Sequence, residues 1–276
     1  RHPVIGQVGG IGLLLAVTLK ADAKVDVAVR DSVRAIYLQM DQNREKSPKV
    51  ESPTGKNPFL DVRVRKATYL AINEEAIVKH VMNGFAEVAG QMVPPMVFGY
   101  DESIKRPAHD PEKAKALLKE AGYPNGFAVT LDAPNDRYVN DAQIAQAIAA
   151  DLARIGVRVK VNAIPKNTFF PLLDRFASSF SLIGWGNNPP DAIRFLDTNT
   201  HTIDKTKGLG RYNYGMYSNP KVDKLIADAT AKAGRKGGAA AAEGGADTAG
   251  NLFEIYQMTD TGVALQATVA GTKYWK

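Results

Sequence analysis

The chain has 276 residues, of which 45% are hydrophobic and 23% are charged, an ordinary globular composition. Its formal net charge is +6, but the basic residues are spread along the chain among acids, which argues against a nucleic-acid interface. Cysteine is absent, the four histidines lack metal-ligand spacing, and no run reaches the roughly 18 apolar residues of a membrane span, so we predict no cofactor, no metal and no direct membrane span.

The amino-terminal residues carry two ambiguous signals. Val8–Ala23 combines an apolar run with an Ala-Asp-Ala triplet, as in a signal-peptide remnant, although Lys20 beside the triplet argues against that interpretation. Gly6–Gly12 favours a glycine-rich turn over a phosphate loop, because it lacks the G-x-G-x-x-G order and a Lys-Ser/Thr ending. Since the chain begins with Arg1, we expect a processed chain or a fragment.

The first regular elements precede residue 85. Ser32–Asp41 alternates apolar residues on two faces and predicts a buried strand. Gln42–Phe59 is polar, has three prolines and predicts a surface loop. Two short helices follow, capped by Asp61 and Asn73, with Gly84 ending the second.

Helices and strands alternate in the remainder, which predicts βαβ units and a sheet covered by helices on both faces. We expect an α/β lobe with a mixed, largely parallel sheet, in which the strands at Val129, Val159 and Leu182 are neighbours. The last helix should bury Val222, Leu225, Ile226 and Ala229. The predicted elements are the helices His109–Phe127, Asp141–Gly156, Asn167–Ala177 and Asn219–Gly234, and the strands Phe127–Pro134, Val157–Pro165 and Phe180–Gly186.

Two loops follow the carboxyl ends of these strands, where open α/β sheets bind their ligands. The first contributes the candidate binding residues Asn135, Arg137 and Tyr138. The second contributes Trp185, Gly186, Asn187, Asn188 and Asp191. We expect both loops to line one concave face and Trp185 to be substantially exposed. The alternative is that Trp185 belongs to the core and the Asn-Pro run is only a turn.

Five stretches, in this order, resemble the extracellular solute-binding proteins of family 5, the peptide- and nickel-binding type that serve ABC importers. They are "NPFLDVRVRKATYLAINEEAIV", "HDPEKAKALLKEAGYPNGF", "AIAADLARIGVRVKV", "FSLIGWGNNPPDA" and "NYGMYSNPKVDKLI". The likeness runs from about Ser32 to Ala233.

The resemblance implies one lobe of a two-lobed periplasmic or extracellular protein. Residues 1–35 would be a stub of the first lobe and its hinge strand, and residues 36–232 the second lobe. Residues 233–276 would form a segment of uncertain sequence, because Ala233–Gly250 is nearly all Ala and Gly; the alternative there is a flexible linker. The implied partners are a small-molecule or peptide solute and the membrane subunits of an ABC importer, with no catalytic residue.

One position departs from the peptide-binding members of that family. The resemblance places an Asp, which anchors the peptide α-ammonium, at the position of Asn188. An amide brings no charge, which weakens the prediction of a free peptide amine and leaves room for sugars, opines or other polar solutes. Asp191 lies three residues further on and is a candidate substitute.

Two other classes of function stay open at this point. A small α/β hydrolase or transferase could use Asp191 or His201, although the chain lacks a G-x-S-x-G elbow and a paired-carboxylate pattern. An interaction module could use the exposed face of the cleft.

Overall fold

The computed structural model describes residues 32–188 and 190–232 and, as backbone alone, the strands at 5–11, 14–19, 26–27, 255–258 and 264–267. Residues 33–242 form one compact unit, and residues 1–32 with 243–276 form another. The boundaries predicted after residues 35 and 232 remain predictions. Residues 233–250, expected to be a linker or an uncertain assignment, lie outside the described residues.

Strands and helices are numbered in chain order. The strands are β1 (Ile5–Ile11), β2 (Leu14–Leu19), β3 (Asp26–Val27), β4 (Arg34–Met40), β5 (Val50–Glu51), β6 (Ala128–Pro134), β7 (Arg158–Ile164), β8 (Phe180–Gly186), β9 (Ile255–Met258) and β10 (Ala264–Ala267). The helices are α1 (Val62–Ala71), α2 (Glu74–His80), α3 (Pro111–Glu120), α4 (Asp141–Ala153), α5 (Lys166–Asp174), α6 (Ala192–Phe195) and α7 (Pro220–Lys232). A 3₁₀ turn covers Pro58–Leu60, and a π-helical turn, Leu196–Thr200, continues α6.

The smaller unit contains two antiparallel sheets. β1 pairs with β2, and β9 lies between β3 and β10. The glycine-rich turn predicted for Gly6–Gly12 is therefore wrong over residues 6–11, which lie in β1. An antiparallel ladder uses backbone groups that glycine also has, so glycine content alone did not exclude a strand.

The larger unit is built on one mixed sheet with β6 at its centre. β7 pairs with β6 in parallel along its whole length, and β8 pairs with β6 in parallel at Asp132 and Ser181. β4 runs antiparallel to β8, and the short β5 runs antiparallel to the start of β6. The predicted α/β class and the parallel arrangement of the three central strands are confirmed.

One face of this sheet carries the main hydrophobic core. Alternate residues of β6, including Leu131, pack against α1, α3 and α4. The capping predictions are confirmed, since the carboxylate of Asp61 accepts from the N–H of Arg63 at 2.8 Å and the amide oxygen of Asn73 accepts from the N–H of Ala76 at 3.0 Å. These helices fix the sheet, and with it the edge where the strands end.

The other face of β6 buries a charged group at its centre. Asp132 is fully buried, and its carboxylate accepts from the ammonium of Lys49 at 2.7 Å, the amide of Asn162 at 2.6 Å and the hydroxyl of Ser178 at 2.7 Å. Lys49 directly precedes β5, Asn162 belongs to β7, and Ser178 lies just before β8. A single carboxylate thus joins three parts of the sheet and has its charge balanced.

The segment Gln42–Phe59 is more ordered than a polar surface loop. It contains β5, and it buries Asn57 and Phe59. The Asn57 amide donates to the carbonyl oxygens of Asp41 at 2.9 Å and Arg44 at 3.0 Å. The prolines of this segment predicted its turns, but they did not predict that the buried side chain of Asn57 holds the segment together as an internal anchor.

Helix α7 buries only part of the predicted stripe: Ile226 is confirmed, whereas Leu225 and Ala229 are wrong. Ile226 and Thr230 are 4% exposed, whereas Leu225 is 67% exposed and Ala229 is also exposed. The hydroxyl of Thr230 donates to the carbonyl of Ile226 at 2.9 Å, so this threonine can be buried without an unpaired donor. Among the described helices, none combines the length and the apolar character that crossing a bilayer requires.

We predict that Asp132→Asn lowers the free energy of unfolding by about 3 kcal/mol, because the amide removes the counter-charge of Lys49 from a buried site. Urea denaturation measures the loss. The matched control is Asp228→Asn, which breaks an ion pair with Lys224 at a carboxylate that is 51% exposed and should cost under about 1 kcal/mol. Equal losses in the two variants would contradict the structural importance of Asp132.

Candidate functional site

The carboxyl ends of β6, β7 and β8 meet at one edge of the sheet, as the topology predicts. The two predicted loops are in contact there, because the phenol of Tyr138 donates to the carbonyl oxygen of Gly184 at 3.3 Å. β4 runs the other way, so its first residue, Arg34, pairs with Gly186 at the same edge. Four chain segments therefore contribute to this edge.

Two cationic side chains lie close to the ring of Tyr138. The guanidinium carbon of Arg34 is 5.3 Å from the centre of the Tyr138 ring, and that of Arg137 is 5.6 Å from it. Both distances are within the range of cation–π attraction. Two positive charges thus lie close to the Tyr138 ring at the end of the central strands.

Burial shifts the pKa of both Arg34 and Tyr138. Burial lowers the pKa of Arg34 to about 10. The negative charge of a Tyr138 phenolate acts against this shift, and the positive charge of Arg137 adds to it. Burial also raises the pKa of Tyr138, which the positive charges of Arg137 and Arg34 partly offset. At neutral pH Arg34 is protonated and Tyr138 is a neutral donor.

The loop that carries Arg137 and Tyr138 is held by the start of α4. The carboxylate of Asp141 accepts from the backbone N–H groups of Arg137 and Tyr138, both at 3.0 Å. Asn140 adopts a left-handed conformation, with φ of 54°, and its amide donates to the carbonyl of Val81 at 2.7 Å. Asn135 is exposed, and its backbone N–H donates to Ile164 at 3.1 Å.

Trp185 does not lie where we expected it. It is only 7% exposed, so the predicted exposure is wrong, and it packs against Phe195 and Tyr212 of the same unit, with ring centroids 6.2 and 5.6 Å apart. Successive residues of a strand point to opposite faces, so Gly184 faces Tyr138 while Trp185 faces these aromatic rings. The alternative interpretation, that Trp185 belongs to the core, is the correct one for its side chain.

The rest of the Gly-Trp loop divides between buried and exposed residues. Asn187 is fully buried, and its amide donates to Val33 at 3.2 Å and more weakly to Met92 at 3.4 Å. Asp191 is 6% exposed and caps α6 by accepting from the N–H of Ile193 at 2.9 Å. Asn188 is exposed, and its backbone carbonyl accepts from Arg194 at 2.9 Å.

Two buried side-chain atoms of the Gly-Trp loop have no hydrogen-bond partner among the described residues. They are the indole nitrogen Nε1 of Trp185 and the amide oxygen Oδ1 of Asn187. Asn187 follows Trp185 by two residues, so both side chains leave the same face of the strand. An ordered water in this buried position would satisfy them.

Sequence patterns missed two contributions to this region. Arg34 was placed only in a buried strand, and its place at the edge depends on the antiparallel pairing of β4 with β8. The aromatic cover of Trp185 comes from α6 and from the segment after it, which carry no long periodic pattern. The hydroxyl of Tyr37 anchors this cover by donating to Asn199 at 2.9 Å, and burial raises the pKa of Tyr37.

Comparisons with known proteins agree with this fold. The family described as bacterial extracellular solute-binding proteins, family 5 Middle, matches residues 6–207. The dipeptide-binding protein of Escherichia coli K12 is 33% identical over 179 residues, which cover 64% of this chain and 33% of that protein. Heme-binding protein A of Haemophilus influenzae is 28% identical over 217 residues, covering 76% of this chain and 36% of that protein.

A solved structure gives the same result. The periplasmic binding protein DppA from Helicobacter pylori, in complex with the peptide STSA, superposes with a TM-score of 0.62 at 28% identity, over 76% of this chain and 38% of that one. The chain thus spans about one third of the length of the curated relatives named above. By the match over residues 6–207 and by its fold, the chain belongs to the family 5 bacterial extracellular solute-binding proteins.

Proposed function

We propose that this chain contributes the solute-recognising edge of an extracellular or periplasmic binding protein that delivers a peptide or another small polar solute to an ABC importer. The main support for this proposal is a set of contacts at the end of β8. The guanidinium groups of Arg34 and Arg137 lie near the ring of Tyr138, and the Tyr138 hydroxyl donates to Gly184. Family membership supports the transport role. The named relatives bind dipeptides and heme, so they leave the solute class open.

The charges at this edge favour a solute with an anionic group. Two guanidinium groups lie near one ring, and Arg34 is partly buried, where a charge interacts more strongly than in water. A guanidinium can donate two parallel hydrogen bonds to a carboxylate or a phosphate. A carboxylate is the group shared by peptides and by many other small metabolites, and we infer that it binds between Arg34 and Arg137.

The contacts of the residues considered as catalysts support a binding function over an enzymatic one. The carboxylate of Asp191 caps α6, and Nδ1 of His201 lies 2.7 Å from the backbone carbonyl of Thr202. Both groups therefore have structural contacts. The family is one of solute-binding proteins, which points the same way.

The remaining predicted binding residues have separate roles in this proposal. Asn135 and Asn188 are exposed at the ends of β6 and β8 and would contact the polar parts of the solute. Gly186 and Asn187 would contribute through their backbone groups, since the side chain of Asn187 is fully buried. Trp185 would act through its buried position rather than as an open stacking surface. The importer's membrane subunits would be the second partner.

We predict that Arg137→Ala weakens binding of the dipeptide dialanine about tenfold, because it removes one of the two cations that hold the carboxylate. Arg137→Lys should recover only part of the affinity, since an ammonium cannot form the paired hydrogen bonds of a guanidinium. Titration followed by NMR of 15N-labelled chain measures both variants and detects weak binding.

The controls for this experiment use the ligand and the opposite edge of the sheet. The amide of dialanine lacks the carboxylate and should bind the unaltered chain about tenfold more weakly. Arg158→Ala removes an exposed arginine at the start of β7, at the opposite end of the sheet, and should change nothing. If dialanine and its amide bind alike, the carboxylate assignment is wrong.

We predict that Asn188→Asp increases the preference for dialanine over N-acetyl-dialanine about fivefold, because a carboxylate at this exposed position would attract the free α-ammonium. Isothermal titration of both ligands measures the ratio. Asn125→Asp is the matched control, since it adds the same charge at an exposed position before β6. An unchanged ratio would place the α-ammonium away from Asn188, and an equal effect of the control would assign the change to net charge.

A further inference from the structure

Gly184, which none of the sequence patterns marked as functional, lies under the ring of Tyr138. A Cβ atom added at Gly184 would be 2.9 Å from Cε1 and 3.1 Å from Cζ of Tyr138, and 2.6 Å from Cδ1 of Ile36. Side-chain carbons do not approach this closely in folded proteins, so a larger residue would force a neighbour to move. The absence of a side chain here is a requirement of the packing.

The two neighbours differ in how readily they can move. Cδ1 of Ile36 is the end of a flexible side chain, and a change of rotamer would move it aside. The ring of Tyr138 is rigid, its hydroxyl donates to the Gly184 carbonyl at 3.3 Å, and its backbone N–H donates to Asp141 at 3.0 Å. A methyl group at residue 184 would therefore displace the Tyr138 ring from the strand.

Displacement of that ring would reach both arginines. Arg34 and Arg137 lie 5.3 and 5.6 Å from the ring centre, so the ring is the surface against which both guanidinium groups are arranged. Gly186, the partner of Arg34 across the strands, also lacks a side chain and lies two residues from Gly184, on the same face of β8. Because neither glycine has a side chain, the Tyr138 ring and the Arg34 side chain can lie directly against the backbone of β8.

We propose that Gly184 is a positioning residue of the solute site, which sets the orientation of Arg34 and Arg137 by allowing Tyr138 to lie directly against β8. This inference rests on the proposed function for its effect on affinity, but not for its effect on the arginines. Gly184 acts through Tyr138 and does not itself contact the carboxylate.

The test compares Gly184→Ala with the double variant that also carries Ile36→Val. Valine lacks the Cδ1 atom that lies 2.6 Å from the added methyl group, so the second change relieves the contact with Ile36 but leaves the contact with Tyr138. We expect Gly184→Ala to weaken dialanine binding about tenfold, as small misplacements of binding groups do, and the double variant to remain equally weak. Recovery of affinity in the double variant would overturn the proposal, because it would assign the loss to the core.

A second readout is independent of any solute. Protons above an aromatic ring resonate upfield, so the Nε–Hε signals of Arg34 and Arg137 report the position of the Tyr138 ring. We expect both signals to move downfield in Gly184→Ala and in the double variant, and to stay in place in Ile36→Val alone. Unchanged signals in Gly184→Ala would overturn the proposal even if affinity falls. If the unaltered chain does not bind dialanine, the carboxylate assignment fails while these signals still decide the role of Gly184.

Discussion

The opposite orientation of neighbouring residues in β8 is the constraint on which the site depends. Gly184 faces Tyr138, and Trp185 faces Phe195 and Tyr212 on the other side of the sheet. One face of the strand is therefore closed by an aromatic cluster that belongs to the same unit, while the other supports the tyrosine that gathers two arginines. A shift of one residue in the pairing of β4 with β8 would exchange these faces, and the core side chains of β4 would lose their burial. The core thus enforces the register that also builds the site.

Much of the fold could be predicted from residues that act locally. The caps Asp61 and Asn73 mark their helices because a side-chain acceptor must satisfy an N–H group close by in sequence. The parallel strands followed from the alternation of helices and strands. Leu225 was misplaced because apolar spacing on α7 does not say which stripe meets another element. The internal anchor Asn57 was missed because its partners lie up to 16 residues away and follow no periodic pattern.

The site could be predicted only in part, for a related reason. The contact of the loop at Asn135–Tyr138 with the start of the loop at Gly184–Ala192 was correctly predicted, since it follows from strand direction. The exposure of Trp185 was wrong because its cover comes from α6 and Tyr212, whose return to the sheet is a tertiary contact. Arg34 was missed because its place depends on antiparallel pairing with a strand 146 or more residues later in the chain. Residues that act through pairing of distant segments are the ones that a single sequence conceals.

We propose that a carboxylate-bearing solute binds at the edge formed by Arg34, Tyr138 and Arg137. A crystal structure of the chain grown with saturating dialanine tests it most directly. We expect ligand density with its carboxylate within hydrogen-bonding distance of both guanidinium groups, on the face of β8 that carries Gly184. Ligand density confined to the aromatic face around Trp185, or to the amino end of the sheet near Arg158, would contradict it.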